Sequence, residues 1–128
     1  MSSQKLIQFL QGSNHMSLTT ATEVANIFSS KDIDRNNYLL KEGKICNEYF
    51  FLEKGFMRAF AYDTDANDIS TNFCTEGQVV FEVSSFFNRT PSKENIQAIT
   101  DCSGWAINYE QLNNLFQEKN IHCKLFLP

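Results

Sequence analysis

Several features that would assign a function at once are scarce or absent in this 128-residue chain. No uninterrupted apolar run approaches the roughly 20 residues that a membrane-spanning helix needs, so we expect no membrane partner. The start, MSSQK, lacks a charged segment followed by an apolar secretory stretch, which predicts a cytoplasmic protein. With 11 Lys and Arg against 15 Asp and Glu, the formal charge is −4. Nucleic-acid binding needs clustered cations, so this segment itself is not expected to hold DNA.

Residue patterns for catalysis and metal binding are also missing from the sequence. The chain has two histidines, His15 and His122, one in each flanking region. Its four cysteines show none of the two-to-four-residue spacings of zinc or redox motifs. We interpret them as reduced thiols, with two disulfides as the alternative. Neither a Gly-rich phosphate loop nor a Gly-x-Ser-x-Gly turn occurs. The sequence therefore predicts no enzyme, no metal site and no required cofactor.

What is present begins with helical periodicity over about residues 3–28. Leu6, Ile7, Phe9 and Leu10 recur at helical spacing, and a second apolar stripe runs over residues 21–28. Thr20 and Glu23 together match a capping box, which predicts a helix start at Thr20.

From about residue 30 to 108, short apolar runs alternate with turn residues every eight to twelve positions, a pattern typical of an all-β sandwich or barrel. A 42% hydrophobic content with 12 Phe is enough for one sizeable core, so we expect a single domain over 1–128. Helical spacing returns from about Tyr109. The predicted strands are Ser30–Asp34, Tyr38–Leu40, Tyr49–Glu53, Phe56–Tyr62, Ile69–Cys74, Gln78–Val80, Asn95–Thr100 and Gly104–Asn108.

The predicted strand Phe56–Tyr62 has two unlike faces. Its aromatic side chains alternate with small ones that include Ala59 and Ala61. Small residues that face a barrel interior would leave room for a ligand, and the aromatic face would then pack on the flanking helices. Alternatively, the small face only accommodates bulky neighbours, and alternation alone does not decide between the two.

Three segments occur in an order and spacing that resemble a known sensor domain. The first is LLKEG at 39–43 with YFFLEKG at 49–55, the second is TEGQVVFE at 75–82, and the third runs from Ile96 to Leu112. Together they are similar to the cyclic-nucleotide-binding domain of bacterial Crp/Fnr-type transcription regulators, over roughly residues 20–118. The resemblance implies a mainly β fold with flanking helices, a double-stranded β-helix or jelly-roll barrel. It also implies a ligand-sensing function.

In the resembling family, a short cassette helix holds the cyclic phosphate through its N-terminal N–H groups and an Arg, while a Gly-Glu pair positions backbone and ribose. Glu82 matches the ribose-binding Glu. Two positions depart from the family pattern: Phe81 stands where the Gly is expected, and Ser92 stands where the Arg is expected. A serine brings no charge and no bidentate fork, so the resemblance implies a small anionic effector, a cyclic nucleotide among the candidates, with a weakened phosphate site.

Other residues near the cassette could contribute to the site. Lys93 or Arg89 could supply a displaced cation, with solvated surface charge as the alternative. Ser84 and Ser85 could donate to an anion, with helix capping as the alternative, and Glu82 could instead be a plain surface carboxylate. The predicted ligand-binding residues are Ala59, Glu82, Ser84, Ser85, Arg89, Ser92, Lys93 and Asn95.

The resemblance also implies partners outside the barrel. In the family a long helix follows the barrel, pairs across a two-fold axis and leads to a DNA-binding helix-turn-helix, which this sequence lacks. Ile121, Leu125 and Phe126 could open such a helix or pack on the barrel. We therefore expect a homodimer in a longer protein, with DNA contacted only through a missing C-terminal domain. The alternatives are a barrel that has lost its ligand and serves as a dimerisation or interaction scaffold, and, less favoured, a cupin-type enzyme, against which the lack of a His cluster counts.

Overall fold

A computed structural model describes residues 2–12 and 15–118 of the chain. Within these ranges, three helices flank eight strands and a fourth, short helix interrupts them. The elements are α1 (Gln4–Gly12), α2 (Leu18–Ala25), β1 (Ser29–Ile33), β2 (Tyr38–Leu40), β3 (Glu48–Lys54), β4 (Met57–Tyr62), β5 (Asp68–Cys74), β6 (Val79–Val80), α3 (Val83–Asn88), β7 (Asn95–Ala98), β8 (Cys102–Asn108) and α4 (Tyr109–Glu118).

The strands form two four-stranded antiparallel sheets with the orders β1-β8-β3-β6 and β2-β7-β4-β5. This is the mainly β jelly-roll arrangement with flanking helices that the sequence predicts. All eight predicted strands are present, with bounds that differ by at most two residues. The suggested helical tail at Ile121, Leu125 and Phe126 lies outside the described residues.

The sheet β1-β8-β3-β6 carries the helices. The ring of Phe9 on α1 lies 5.0 Å from that of Phe51 on β3, centroid to centroid. On β8, Gly104 pairs with Leu52 and passes very close to Phe51, since a Cβ on Gly104 would lie 2.0 Å from the carbonyl oxygen of Phe51. Glycine is thus required for the central β3–β8 pairing, because any side chain at that position would collide with backbone.

The predicted cap of the second helix was wrong. The N-cap is Ser17, whose hydroxyl oxygen accepts a hydrogen bond from the backbone N–H of Thr20 at 3.2 Å. Helix α2 therefore starts about one turn earlier than the Thr20 capping box indicated. Both positions carry a hydroxyl side chain that suits a cap, and the local pattern did not distinguish them.

Strand β4 places its small face inward. Met57 and Ala59 are buried in the main core. Its aromatic face does not pack on the helices, contrary to the sequence-based expectation. Phe60 is buried on the outer face of the other sheet, beneath the guanidinium of Arg58 at 3.9 Å and beside Tyr62, which is 53% exposed. The helices cover the opposite sheet, so Phe60 is covered by side chains of its own sheet, namely Arg58, Tyr62 and Tyr38.

Strand β5 forms the outer edge of the sheet β2-β7-β4-β5 and is irregular. Ala59 pairs with Asn72, whereas Phe60 pairs with Ser70, so Thr71 is an extra residue on the β5 side. This is a β-bulge, which bends the strand and increases its twist. The bulge turns Thr71 toward the cavity described next.

Candidate functional site

A cavity of about 350 Å³ opens between β4, β5, the β6–α3 turn and the start of β7. We call it the cassette cavity, because Glu82, Val83 and Glu94, at the two ends of the cassette segment, form one wall. Its volume falls in the range of about 300–1,000 Å³ that is typical of small-ligand sites. The lining residues are Ala59, Thr71, Asn72, Cys74, Val79, Val80, Phe81, Glu82, Val83, Glu94 and Ile96.

Glu82 is the N-cap of α3. Its backbone is extended, and its Oε2 accepts a hydrogen bond from the backbone N–H of Ser85 at 2.5 Å. A free helix start would offer N–H groups and partial positive charge to an anion. Here a carboxylate of the chain itself already satisfies one of these groups. The carboxylate of Glu82 therefore occupies the position at the start of α3 where a bound anion would otherwise lie.

Glu94 supplies a second carboxylate to the cavity. The hydroxyl of the bulged Thr71 donates to Glu94 Oε2 at 2.7 Å, and the same hydroxyl oxygen lies 3.1 Å from the carbonyl oxygen of Ala59. The bulge and the cassette wall are thus joined across the cavity by one side-chain contact. The amide of Asn72, on an exposed position of β5, borders the same space.

The electrostatic character of the cassette cavity is negative. Among the described residues that line it, Glu82 and Glu94 are acidic and none is Lys, Arg or His. The thiol of Cys74 responds to this field: burial raises its pKa, and the negative charge of Glu94 raises it further. The cavity is therefore suited to ligands that donate hydrogen bonds, such as hydroxyl and amino groups, rather than to anions.

The serines of the cassette have structural partners. Ser85 is fully buried, and its hydroxyl accepts from the backbone N–H of Cys46 at 2.8 Å and donates to the carbonyl of Thr90 at 2.5 Å. Ser84 accepts from the side-chain amide of Asn88 at 3.3 Å. Neither serine lines the cassette cavity.

Ser92 is also buried, and its hydroxyl bonds to the backbone N–H and carbonyl of Glu94 at 3.0 and 2.8 Å. Asn95 accepts from the backbone N–H of Glu42 through its Oδ1 at 2.9 Å. Lys93 is exposed to solvent. These three residues surround the cassette without lining its cavity.

Arg89 ties the cassette to other elements. It sits after α3 in the left-handed region, with φ of 57°. Its guanidinium donates to the carbonyls of Cys46 and Phe86 and to the Oδ1 of Asn47, each at 3.1 Å, and stacks on the ring of Tyr109 at 4.1 Å. These contacts connect the end of α3 with the loop before β3 and with the start of α4.

Of the eight residues predicted to bind a ligand, the structure thus brings Ala59 and Glu82 to the cavity and places the others around it. Their roles toward a ligand stay predictions. Thr71, Asn72, Cys74 and Glu94 line the cavity but were not among the predicted residues. Thr71 had no local signal, because a bulge in β5 turns it toward the cavity. Asn72 and Cys74 pair in regular register with Ala59 and Met57, and neither they nor Glu94 belong to the motif segments that carried the resemblance.

Two kinds of feature are absent from the part of the chain that the structure describes. Residues 2–12 and 15–118 contain no group of three or more His, Cys, Asp or Glu side chains placed to hold a metal ion. Within the same ranges, no helix has the length and apolarity needed to cross a membrane.

Comparison with protein families gives a match over most of the chain. The model of the cyclic nucleotide-binding domain matches residues 30–119, which include all of the cavity. A search of curated proteins finds no significant match.

Solved structures show the same fold at low sequence identity. The chain resembles cAMP-bound PfPKA-R (17% identity, TM-score 0.79, covering 91% of this chain and 42% of that chain). It also resembles the regulatory subunit of a cAMP-independent protein kinase A from Trypanosoma cruzi bound to guanosine (17%, 0.76, 89% and 42%). A third is the catabolite activator protein of Thermus thermophilus (11%, 0.79, 91% and 53%). The chain spans only about half the length of these proteins, and at such identities the likeness shows the fold alone.

Proposed function

The chain belongs to the cyclic nucleotide-binding domain family, and from this premise we propose that it is a regulatory domain whose effector is an uncharged nucleoside-like molecule in the cassette cavity. The observation that carries the proposal is the charge of that cavity: two carboxylates and, among the described lining residues, no cation.

A cyclic phosphate would meet repulsion in this cavity. Two unit charges 6 Å apart repel by about 3 kcal/mol at an effective dielectric constant near 20, and by about 0.7 kcal/mol in bulk water. Ser92 stands at the position where the resemblance places an Arg, and its hydroxyl is hydrogen-bonded to the backbone of Glu94. Nothing in the lining therefore offsets the repulsion, and the anionic effector expected from the sequence is disfavoured.

An uncharged nucleoside fits the same groups. A ribose diol has two O–H donors, and carboxylates are strong acceptors for them. Glu82 uses Oε2 for its cap and Glu94 uses Oε2 for Thr71, so each carboxylate retains a second oxygen for a ligand. The apolar walls at Val80, Phe81 and Ile96 would then face the base.

The similar solved structures support an effector of this general kind but do not distinguish a nucleoside from a cyclic nucleotide. Two protein kinase A regulatory subunits resemble the chain about equally, yet one is described with cAMP and the other as cAMP-independent and bound to guanosine. The fold therefore accommodates both ligands, and the residues of the cavity must decide. In this chain they favour the nucleoside.

The regulatory part of the proposal follows from Arg89. A ligand that shifts the cassette would also shift the contact between Arg89 and Tyr109 at the start of α4. Such a coupling would act as a population shift between two positions of α4. By likeness to the catabolite activator protein, we keep the prediction that the chain works as the sensor of a transcription regulator, as a homodimer that reaches DNA through a further domain. We assign it no catalytic role.

The test is isothermal titration of the full chain with guanosine, adenosine, cAMP and cGMP. We expect a nucleoside to bind at least tenfold more tightly than either cyclic nucleotide, since a single charge repulsion of 1.4 kcal/mol already gives that factor. Glu94→Gln and Glu82→Gln should each weaken nucleoside binding, whereas Glu110→Gln, an exposed carboxylate on α4, should not. Tighter binding of cAMP than of both nucleosides would refute the charge argument.

A scaffold without a ligand is the second candidate, and one observation favours it. Phe81, at the position where the resemblance places a Gly, packs against the rings of Tyr49, Phe86 and Phe87 at 4.9 to 6.1 Å. This packing fills space beside the cassette with the chain's own side chains. If none of the four compounds binds in the titration while the chain remains natively folded, the result would support the scaffold without a ligand.

A further inference from the structure

A second cavity of about 320 Å³ lies on the other side of Ile96, between β2 and the loop that leads into β3. We call it the lysine cavity, after Lys41 and Lys44 on its rim. Its floor includes the buried side chains of Leu40 and Ile96, and its wall includes Ile45, which is 44% exposed. It shares Ile96 with the cassette cavity and otherwise has its own lining.

The charge of the lysine cavity is opposite to that of the cassette cavity. Lys41 and Lys44 border it together with one carboxylate, Glu48, which is already paired with Lys31. Among the described residues, the two ion pairs within 4.0 Å are Lys31 with Glu48 and Arg58 with Asp68. Both lysines of the rim therefore have no acidic partner within the described ranges and are available to an anion.

The position of Lys41 is restricted by an aromatic ring. Its ammonium lies 5.2 Å from the centre of the Tyr38 ring, within reach of a cation–π interaction. Tyr38 itself lines the cavity and is 39% exposed. A flat apolar group that enters would thus meet the aliphatic floor of Leu40 and Ile96, and its charge would meet the ammonium groups on the rim.

The loop that carries Lys44 is held in place by the cassette. The N–H of Gly43 donates to the carbonyl of Ser92, and the N–H of Ser92 donates to the carbonyl of Lys44, both at 2.8 Å. The adjacent Ile45 forms a β-bridge with Pro91. The cavity wall is therefore fixed before any ligand arrives, which lowers the entropic cost of binding.

We propose that the lysine cavity is a second binding site, which takes a small organic anion: a flat apolar body that carries one carboxylate or phosphate group. The cavity is at the low end of ligand-site volumes, which suits a single-ring compound. This site differs in charge from the proposed nucleoside site, although the two cavities share Ile96.

The experiment titrates the ¹⁵N-labelled full chain with benzoate and phenyl phosphate, and with uncharged benzyl alcohol as the comparison, followed by NMR. We expect the two anions to shift the amide signals of Lys41, Lys44 and Ile45, with an affinity that falls as salt is added because exposed charges are screened. Lys41→Gln and Lys44→Gln should each weaken anion binding about threefold to fivefold, the effect of losing one exposed charge contact.

Lys54→Gln is the matched control, since Lys54 is an exposed lysine at the end of β3 that lines neither cavity. It should leave anion binding unchanged. Equal binding of benzyl alcohol, an equal loss in Lys54→Gln, or shifts confined to Asn72 and Glu94 would each overturn the second site. Shifts confined to Asn72 and Glu94 would also contradict the charge argument for the cassette cavity, whereas the other two outcomes leave the nucleoside proposal untouched.

Discussion

Arg89 offers the sharpest test of how the cassette is held, and its replacement by Ala should destabilise the domain. The side chain makes three hydrogen bonds at 3.1 Å and one stacking contact at 4.1 Å, which join its own helix α3 to Cys46 and Asn47 before β3 and to Tyr109 on α4. A hydrogen bond with a charged partner contributes about 1.5–3 kcal/mol, and an exposed cation–π contact about 0.5–1 kcal/mol. Arg89 is only half-buried, so water can replace part of what is lost. We expect a net loss of about 2–3 kcal/mol in the free energy of unfolding.

A second variant separates these contacts from backbone strain. Arg89 has a positive φ of 57°, in the left-handed region, where a side chain costs about 1 kcal/mol relative to glycine. Arg89→Gly removes the same contacts as Arg89→Ala but relieves this strain. It should therefore be more stable than Arg89→Ala by about 1 kcal/mol, although less stable than the parent chain.

Urea unfolding followed by circular dichroism measures both differences. Arg89→Lys completes the set, since it keeps the charge and loses the planar fork, and we expect it to fall between the parent and Arg89→Ala. A loss below about 0.5 kcal/mol for Arg89→Ala, the size of an ordinary surface change, would contradict the reasoning. So would an Arg89→Gly chain that is less stable than Arg89→Ala.

Three further outcomes can be checked. Gly104→Ala should prevent folding or cost at least about 3 kcal/mol, because its Cβ would meet the Phe51 carbonyl oxygen at 2.0 Å; a native circular dichroism spectrum with unchanged urea midpoint would contradict this. The carboxylate of Asp63 accepts a hydrogen bond from the backbone N–H of Asn67, which lowers the pKa of Asp63 below the ordinary 3.8. NMR titration should find that shift. The contribution of this hydrogen bond to stability should be complete above pH 3.8 and be lost as the pH falls through the lowered pKa. Burial raises the pKa of the Cys74 thiol, with Glu94 adding to the effect, so at pH 7 a thiol reagent should modify it far more slowly than in urea-unfolded chain; equal rates would show that the thiol is as accessible and as readily ionised as in the unfolded chain.

Much of the strand order could be predicted because turns have strong local signals. Gly43, Gly55 and Gly77 all lie between predicted strands and adopt the positive φ that suits a tight reversal. Alternation in β4 also separated the two faces of the strand, and the structure then shows that the face with Met57 and Ala59 points inward. The mistake about its aromatic face had a tertiary cause, since the pattern of one strand does not say which sheet the helices cover.

The candidate site was predicted less completely. Glu82 was found from its position in the resemblance, yet its role as cap of α3 depends on the side-chain conformation, which the sequence does not give. Thr71 reaches the cavity only because a bulge shifts the register of β5. Ser92 was expected near a ligand but bonds to its own turn. Such contacts depend on a few tenths of an ångström in backbone position, which a residue pattern does not encode.

The bulge at Thr71 has a consequence for self-association. β5 is a seven-residue edge strand that is exposed over all but its last residue, and a straight edge of this length offers unpaired backbone groups to another chain. The extra residue breaks that regular row in the middle and so protects the domain from stacking edge to edge into fibres. Deleting Thr71 to straighten the hairpin would remove this protection, and engineering of the site should preserve the irregular edge.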